Sequence, residues 1–219
     1  MEKQVKIKIC GLRTPADVAA VNATLPEYAG FIFVPMRRRY VAPAQAAILC
    51  RQLDPRIRPV GVFVDARVED ILEALEHCPL DMVQLHGAED DDYTAMLRAA
   101  YRARFAVERP DAAVDSDLCI VKAFRVEDAD DIRRAEASAA DEILLDHGAG
   151  GTGERFDWTL LQHCHRRFFL AGGLTPDNVE DAIRVTQPYA VDVSSSLETD
   201  GRKDPEKIRR FVSAVRRSL

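Results

Sequence analysis

Eight short runs of β-branched, aromatic and other apolar residues recur along the 219-residue chain, and they alternate with segments whose apolar residues have helical spacing. Most runs are almost continuously apolar, which is typical of strands buried on both faces of a parallel sheet. Their number and order predict an α/β fold, a TIM (β/α)8 barrel, with residues 1–219 as a single domain. The predicted strands are Val5 to Cys10, Tyr28 to Val34, Arg58 to Val64, Asp81 to Leu85, Leu118 to Phe124, Glu142 to Asp146, Phe168 to Ala171 and Tyr189 to Val193.

A doubly wound open sheet is the alternative fold. Eight strands are many for that architecture, and no GxGxxG sequence follows the first strand. Three dipeptides, Thr14-Pro15, Thr175-Pro176 and Asp204-Pro205, place a capping side chain before a proline. Because proline is favoured at the first helical position, we expect a helix to begin at each of these three prolines.

Charge and cysteine content exclude several classes of protein. Asp and Glu number 36 against 30 Lys and Arg, so the net charge of -6 lacks the footprint of a general nucleic-acid binder. The five cysteines are odd in number and form no CxxC pair, which favours reduced thiols in a cytosol over disulfides or a zinc site. No signal peptide and no apolar stretch of about 20 residues is visible. We therefore expect a cytoplasmic protein without a membrane or nucleic-acid partner.

Active sites of such barrels lie at the carboxyl ends of the strands, so the residues that end each strand are the candidates for chemistry. Cys10 ends the first strand, where a thiol tuned towards neutral pH would act as a general base. Asp146 ends the sixth strand, where partial burial would raise its pKa and suit it to a general acid. The alternatives are a small buried hydrophobe at Cys10 and a loop or capping carboxylate at Asp146. If both face the mouth, they form an acid–base pair across the barrel.

Cationic and imidazole side chains follow two other strands. Arg37, Arg38 and Arg39 come after the second strand, and a guanidinium there offers a bidentate grip on a carboxylate or phosphate. Arg39, just before the second helix, is our candidate for this role, and a solvated basic loop is the alternative. His86 ends the fourth strand, either as a substrate-binding residue or as a structural histidine.

Two turns of small residues end the last two strands. Gly172-Gly173 follows the seventh strand, and Ser194, Ser195 and Ser196 follow the eighth. Small residues let backbone N–H groups approach an anion closely, and many barrels bind phosphate after strands seven and eight. The pair of turns therefore predicts a phosphate site.

Eight short motifs occur in an order that is familiar from one enzyme family. From about Val5 to about Phe211, the chain resembles the phosphoribosylanthranilate isomerases of tryptophan biosynthesis. The motifs are Lys8-Ile9-Cys10-Gly11, Gly30-Phe31-Ile32-Phe33, Gly61-Val62-Phe63, Gln84-Leu85-His86-Gly87, Leu145-Asp146, Gly150-Gly151-Thr152-Gly153 with Phe156-Asp157-Trp158, Ala171-Gly172-Gly173-Leu174 and Val191-Asp192-Val193-Ser194-Ser195.

The resemblance implies an Amadori rearrangement of N-(5-phosphoribosyl)anthranilate without cofactor or metal. It implies that Cys10 is the general base and Asp146 the general acid, that Arg39 contacts the anthranilate and that His86 lies near it. It also implies that Gly172, Gly173 and Ser194 to Ser196 hold the phosphate, in a monomer or a homodimer.

The chain departs from the family pattern at two site positions. Arg37 stands where the family usually has serine, and Ser196 stands where it usually has glycine. If the backbone at 196 needs a positive φ, the serine costs about 1 kcal/mol or changes the turn. Two other functions stay open: another phosphosugar-barrel isomerase or epimerase, and a phosphosugar-binding barrel without activity. An epimerase would be expected to carry metal-ligating His and Asp at its strand ends.

Overall fold

Eight parallel strands close into a barrel in the computed structural model, which describes residues 4–105, 118–146 and 158–218. The first strand, β1, pairs with β2 on one side and with β8 on the other, so that Lys8 lies opposite both Tyr28 and Asp192. This closure confirms the predicted TIM barrel, and the open-sheet alternative is wrong. The strands are β1 Lys6–Cys10, β2 Tyr28–Ile32, β3 Arg58–Phe63, β4 Met82–Leu85, β5 Cys119–Arg125, β6 Glu142–Asp146, β7 Phe168–Ala171 and β8 Ala190–Val193.

Helices connect the strands on the outside of the barrel. They are α1 Pro15–Asn22, α2 Pro43–Cys50, α3 Val68–His77, α4 Asp91–Phe105, α5 Ala129–Ala137, α6 Val179–Thr186 and α7 Pro205–Arg217, with a 3₁₀ helix at Trp158–His163 before β7. No helix in the described ranges is long and apolar enough to cross a membrane.

Two of the three predicted helix starts are confirmed. Thr14 caps α1 and Asp204 caps α7, each accepting hydrogen bonds from the first turn. The predicted start at Pro176 is wrong, since α6 begins at Val179. The backbone N–H of Thr175 donates to Asn178 Oδ1 at 2.8 Å, and this bond closes a separate turn before the helix.

The apolar core has two layers. Outward-facing strand residues pack against the helices, with Ile7, Phe31 and Phe211 among the side chains that have no solvent exposure. Inward-facing residues fill the barrel itself, among them Tyr28 and Phe169, whose ring centroids lie 5.4 Å apart. The filled interior closes the middle of the barrel, so that substrate is confined to its mouth.

A short hairpin after β8 has no counterpart in the sequence-based prediction. The 3₁₀ turn Ser195–Leu197 leads into β9, Glu198–Thr199, which pairs antiparallel with β10, Arg202–Lys203. The two residues between them, Asp200 and Gly201, have φ of 50° and 76°. Left-handed backbone at both positions is typical of the two-residue turns that Asp-Gly sequences favour. The hairpin sets Glu198 directly opposite Lys203.

Candidate active site

The structure places Cys10 at the carboxyl end of β1, at the mouth of the barrel. The residue is 6% exposed, and its sulfur packs against the backbone of β2, because a Cβ at Gly30 would lie 2.7 Å from Sγ. Burial raises the pKa of the Cys10 thiol, although the nearby Lys8 and Lys203 oppose the shift. The expected tuning of the thiol towards neutral pH is therefore wrong in direction.

A buried ion pair lies directly below Cys10. Lys8 is two residues earlier on β1, and its Nζ lies 2.9 Å from Asp192 Oδ2 on β8. Burial alone would lower the pKa of Lys8, but the charges of Asp192 and Cys10 raise it. Among the described residues, Asp192 Oδ1 is buried without a hydrogen-bond partner.

Asp146 ends β6 and faces His86 at the end of β4. His86 Nε2 lies 3.4 Å from Asp146 Oδ2, and the other ring nitrogen, Nδ1, lies 2.9 Å from Gln84 Nε2. The side chain of Asp146 is 26% exposed, which leaves it accessible to a substrate. His86 is thus held between an amide and the predicted general acid.

The predicted acid and base share an electrostatic neighbour. Asp192 interacts electrostatically with Cys10, with His86 and with Asp146. All of these residues belong to the carboxyl-terminal part of the barrel interior, where β6 and β1 are separated by β7 and β8. The structure therefore brings Cys10 and Asp146 to a common mouth around Asp192.

Arg39 lies beside the hairpin after β8. Its Nε donates to Glu198 Oε1 at 2.5 Å and its Nη2 to Glu198 Oε2 at 3.3 Å. Arg38 donates to the same carboxylate at 2.5 Å, whereas Arg37 is exposed. Burial alone would raise the pKa of Glu198, but the Arg39 hydrogen bond and the charge of Lys203 lower it to about 2.

The two turns of small residues lie side by side. Gly172 and Gly173 have φ of 93° and 62°, a conformation that glycine adopts without strain. The Ser196 hydroxyl donates to the Leu174 carbonyl at 2.5 Å and so joins the two turns, and Ser194 Oγ donates to the Cys10 carbonyl at 3.0 Å. Ser196 does not have a positive φ, so the predicted cost of serine at this position is absent.

Four charged residues of the site escaped the sequence-based prediction: Lys8, Asp192, Glu198 and Lys203. A charge inside an otherwise apolar strand is a usable signal for Lys8 and Asp192, since such a residue must be paired to be buried. The Asp200-Gly201 turn is the corresponding signal for the hairpin that carries the other two. The motif residues Gly150 to Gly153, with Phe156 and Asp157, lie outside the described residues.

Comparison with known proteins places this geometry in a family. The family model described as N-(5'-phosphoribosyl)anthranilate (PRA) isomerase matches residues 7–214. An N-(5'-phosphoribosyl)anthranilate isomerase of Acetivibrio thermocellus is 40% identical over 217 residues, which cover 96% of this chain and 95% of the relative.

Two solved structures of phosphoribosylanthranilate isomerases are similar to nearly the whole chain. A crystal structure of phosphoribosyl anthranilate isomerase in complex with reduced 1-(o-carboxyphenylamino)-1-deoxyribulose 5-phosphate has a TM-score of 0.79 and 33% identity, covering 97% of this chain and 98% of that one. A crystal structure of monomers generated from the dimeric phosphoribosylanthranilate isomerase of Thermotoga maritima gives the same TM-score, identity and coverage.

Proposed function

The chain belongs to the N-(5'-phosphoribosyl)anthranilate isomerase family, and on that premise we propose which residues carry the reaction. The enzyme converts N-(5-phosphoribosyl)anthranilate, a small phosphosugar, into 1-(2-carboxyphenylamino)-1-deoxyribulose 5-phosphate in tryptophan biosynthesis. This Amadori rearrangement opens a furanose ring and moves a proton from C2 of the sugar. It therefore requires an acid at the ring oxygen and a base at C2.

Asp146 is the general acid in this proposal. Its Oδ2 faces His86, so Oδ1 is the oxygen that carries the proton towards the substrate. Protonation of the ring oxygen breaks its bond to C1, and the lone pair of the anthranilate nitrogen forms an iminium at C1. This cation acts as an electron sink within the substrate, so the chemistry needs no organic cofactor.

Cys10 is the general base in this proposal. The iminium acidifies the C2 proton, the Cys10 thiolate accepts that proton, and the electrons of the C–H bond form an enolamine. Tautomerisation then places the ketone at C2 and the amine at C1. The raised pKa of the thiol makes the thiolate a minor species but a stronger base once it forms. The charges of Lys8 and Lys203 favour the thiolate, and the charge of Asp192 opposes it.

Binding of the substrate is divided between two sets of residues. We assign the anthranilate carboxylate to Arg39, with His86 near the aromatic ring. We assign the phosphate to the turns at Gly172-Gly173 and Ser194 to Ser196. Because the hydroxyls of Ser194 and Ser196 already donate to backbone carbonyls, backbone N–H groups are the proposed phosphate donors.

The observation that supports the acid–base assignment is that Cys10 and Asp146 end parallel strands of one closed barrel and share Asp192 as an electrostatic neighbour. The test compares Cys10→Ser and Asp146→Asn with the wild type. Loss of one acid or base predicts a fall in kcat of about 100- to 10,000-fold. Affinity for the reduced product analogue, measured by calorimetry, is expected to change by less than about threefold, since neither group is a main binding contact. Turnover at the wild-type rate in either variant contradicts its assigned role.

Three wider properties also belong to the proposal. We infer that residues 1–219 form one domain, that the enzyme acts in the cytoplasm, and that it is a monomer or a homodimer. The dimeric relative from Thermotoga maritima supports the second oligomeric option. Sedimentation equilibrium at micromolar concentration decides between the two states.

A further inference from the structure

Glu198 lies at the centre of three cations that come from two separate segments of the chain. Its carboxylate accepts from Arg38 and Arg39 of the loop after β2, at 2.5 Å each. Lys203, its partner across the β9–β10 hairpin, lies 3.4 Å away and donates to the Ser194 carbonyl at 2.8 Å. The side chains of Glu198 and Lys203 are only 5% and 1% exposed. This carboxylate therefore ties the loop that carries Arg39 to the turn that carries Ser194.

We propose that Glu198 is a positioning residue that fixes Arg39 for the carboxylate of the substrate. Glu198 occupies the guanidinium edge formed by Nε and Nη2, so the edge formed by Nη1 and Nη2 is left for a second, bidentate carboxylate. The inference rests on the proposed role of Arg39 and adds the residue that orients it. It also makes Glu198 a determinant of specificity for substrates whose aryl group bears a carboxylate.

The stem of Arg39 is fixed from a second side. A Cβ at Gly11 would lie 2.7 Å from Arg39 Cδ and 3.2 Å from Ser194 Oγ, so the arginine stem crosses the end of β1 in close contact. The contact with β1 fixes the stem and Glu198 fixes the head group. An arginine ordered before binding loses less side-chain entropy when the ligand arrives.

Repulsion between Glu198 and the substrate carboxylate does not outweigh this orientation. The cluster of Glu198 with Arg38, Arg39 and Lys203 contains three cations and one anion, so an approaching carboxylate still meets net positive charge. Without Glu198, the three cations would lack their common counter-ion and would repel one another. Arg39, on a loop whose residues 35–38 are exposed, would then turn away from the mouth.

The test is a thermodynamic cycle between Glu198→Gln and the ligand carboxylate. Calorimetry measures the Kd of two ligands: the reduced product analogue and its counterpart made from aniline, which lacks the carboxylate. We expect Glu198→Gln to weaken the carboxylated ligand by about tenfold, the cost of reordering one long side chain. The aniline ligand is expected to lose less than about twofold, and its binding also shows that the variant site is folded. Equal losses for both ligands, or tighter binding of the carboxylated one, would overturn the proposal.

Two further variants separate this proposal from the one on which it rests. If Arg39→Met keeps the wild-type preference for the carboxylated ligand, the assignment of Arg39 fails whatever Glu198→Gln does. If Arg39→Met loses that preference but Glu198→Gln keeps it, the assignment of Arg39 is retained and the positioning role of Glu198 is overturned. Glu180→Gln is the matched control: it removes an ion pair with Arg217 on the outer helices, and both affinities should stay at the wild-type values.

Discussion

The charge on each reactive side chain at the mouth depends on residues from neighbouring strands. Cys10 is the clearest case, since burial and the charge of Asp192 disfavour its thiolate while Lys8 and Lys203 favour it. Lys203 is itself buried, and burial lowers its pKa, although Cys10 and Glu198 oppose the shift. The basicity of Cys10 therefore depends on the hairpin after β8, which carries Lys203, as well as on β1, which carries Lys8.

Lys203→Met is expected to raise the pKa of the Cys10 thiol further, because it removes a charge that stabilises the thiolate. At a pH below the pKa of the thiol, a higher pKa means a smaller fraction of thiolate. Alkylation of Cys10 by iodoacetamide at neutral pH should therefore be about threefold to tenfold slower in the variant than in the wild type. The whole rate profile should move to higher pH, and the rate should recover in alkaline buffer. Peptide mapping by mass spectrometry separates Cys10 from the other four cysteines.

Lys207→Met is the matched control for this experiment. Lys207 also contacts the hairpin, donating to the backbone carbonyl of Glu198 at 2.7 Å, but it is not among the charges that act on Cys10. Its alkylation profile should coincide with that of the wild type. If the pH profile of Lys203→Met is not shifted, Lys203 does not stabilise the Cys10 thiolate.

The sequence indicated the residues at the strand ends better than their partners. Cys10 and Asp146 follow from the rule that barrel chemistry sits at the carboxyl ends of strands. The roles of Asp192 and Lys8 could not be predicted in this way, because the alternation of side chains along a strand shows only which residues share a face. Which face turns into the barrel, and which charges then meet across it, depends on closure and register.

At the scale of elements, the close approach of β1 and β2 fixes the position of the thiol. Gly30 is paired with Cys10 in the register of the two strands. A Cβ at Gly30 would lie 2.7 Å from Cys10 Sγ and 3.0 Å from Cys10 Cα, and backbone atoms cannot move aside as a flexible side chain can. The glycine is thus required by the space that the sulfur occupies.

Gly30→Ala is expected to displace Cys10 and to lower kcat by about 10- to 100-fold, as small misplacements of catalytic groups do. Overpacking should also lower the free energy of unfolding by about 1–3 kcal/mol. The measurements are the rate at which substrate fluorescence disappears and unfolding in urea.

Gly61→Ala serves as the control for stability. Its Cβ would lie 2.7 Å from Leu80 Cδ1 and 2.9 Å from Phe63 Cε2, so it crowds the core without touching Cys10. A similar loss of stability with an unchanged kcat is expected. If Gly30→Ala keeps the wild-type kcat, the close packing of β2 does not position the sulfur.

The strands were predictable because each apolar run is short and bounded by polar residues, and all eight predicted runs overlap the observed strands. The β9–β10 hairpin was missed, because two-residue strands carry too few residues for a periodic pattern and only the Asp200-Gly201 turn signals it. The start of α6 was misplaced because the Asn178 side-chain oxygen accepts a hydrogen bond from the Thr175 N–H, and this turn competes with the helix. Local sequence does not show which of the two prevails.

At the scale of the whole molecule, the two ends of the chain meet and close the barrel. β8 pairs with β1, and α7 packs beside α1. Arg216 of α7 donates to Glu27 at 2.7 Å and to the Val5 carbonyl at 3.2 Å, while the N–H of Ile7 donates to the other oxygen of Glu27. Because α7 is hydrogen-bonded to residues next to and within β1, loss of packing at α7 should lower the free energy of unfolding of the whole barrel.

Phe211→Ala tests whether the barrel unfolds as one unit. Phe211 lies on α7 without solvent exposure, and its truncation is expected to lower the free energy of unfolding by about 3–5 kcal/mol. Trp158, the single tryptophan, lies before β7 and reports on a different part of the chain from the helix signal in circular dichroism. If residues 1–219 are one domain, both probes should give one urea midpoint in the wild type, and both should shift together in the variant.

Phe211→Leu is the control variant: it keeps most of the side-chain volume and should lower the free energy of unfolding by less than about 1.5 kcal/mol. Separate transitions for Trp158 and for the helices would mean that the barrel consists of two folding units, and the single-domain proposal would fail.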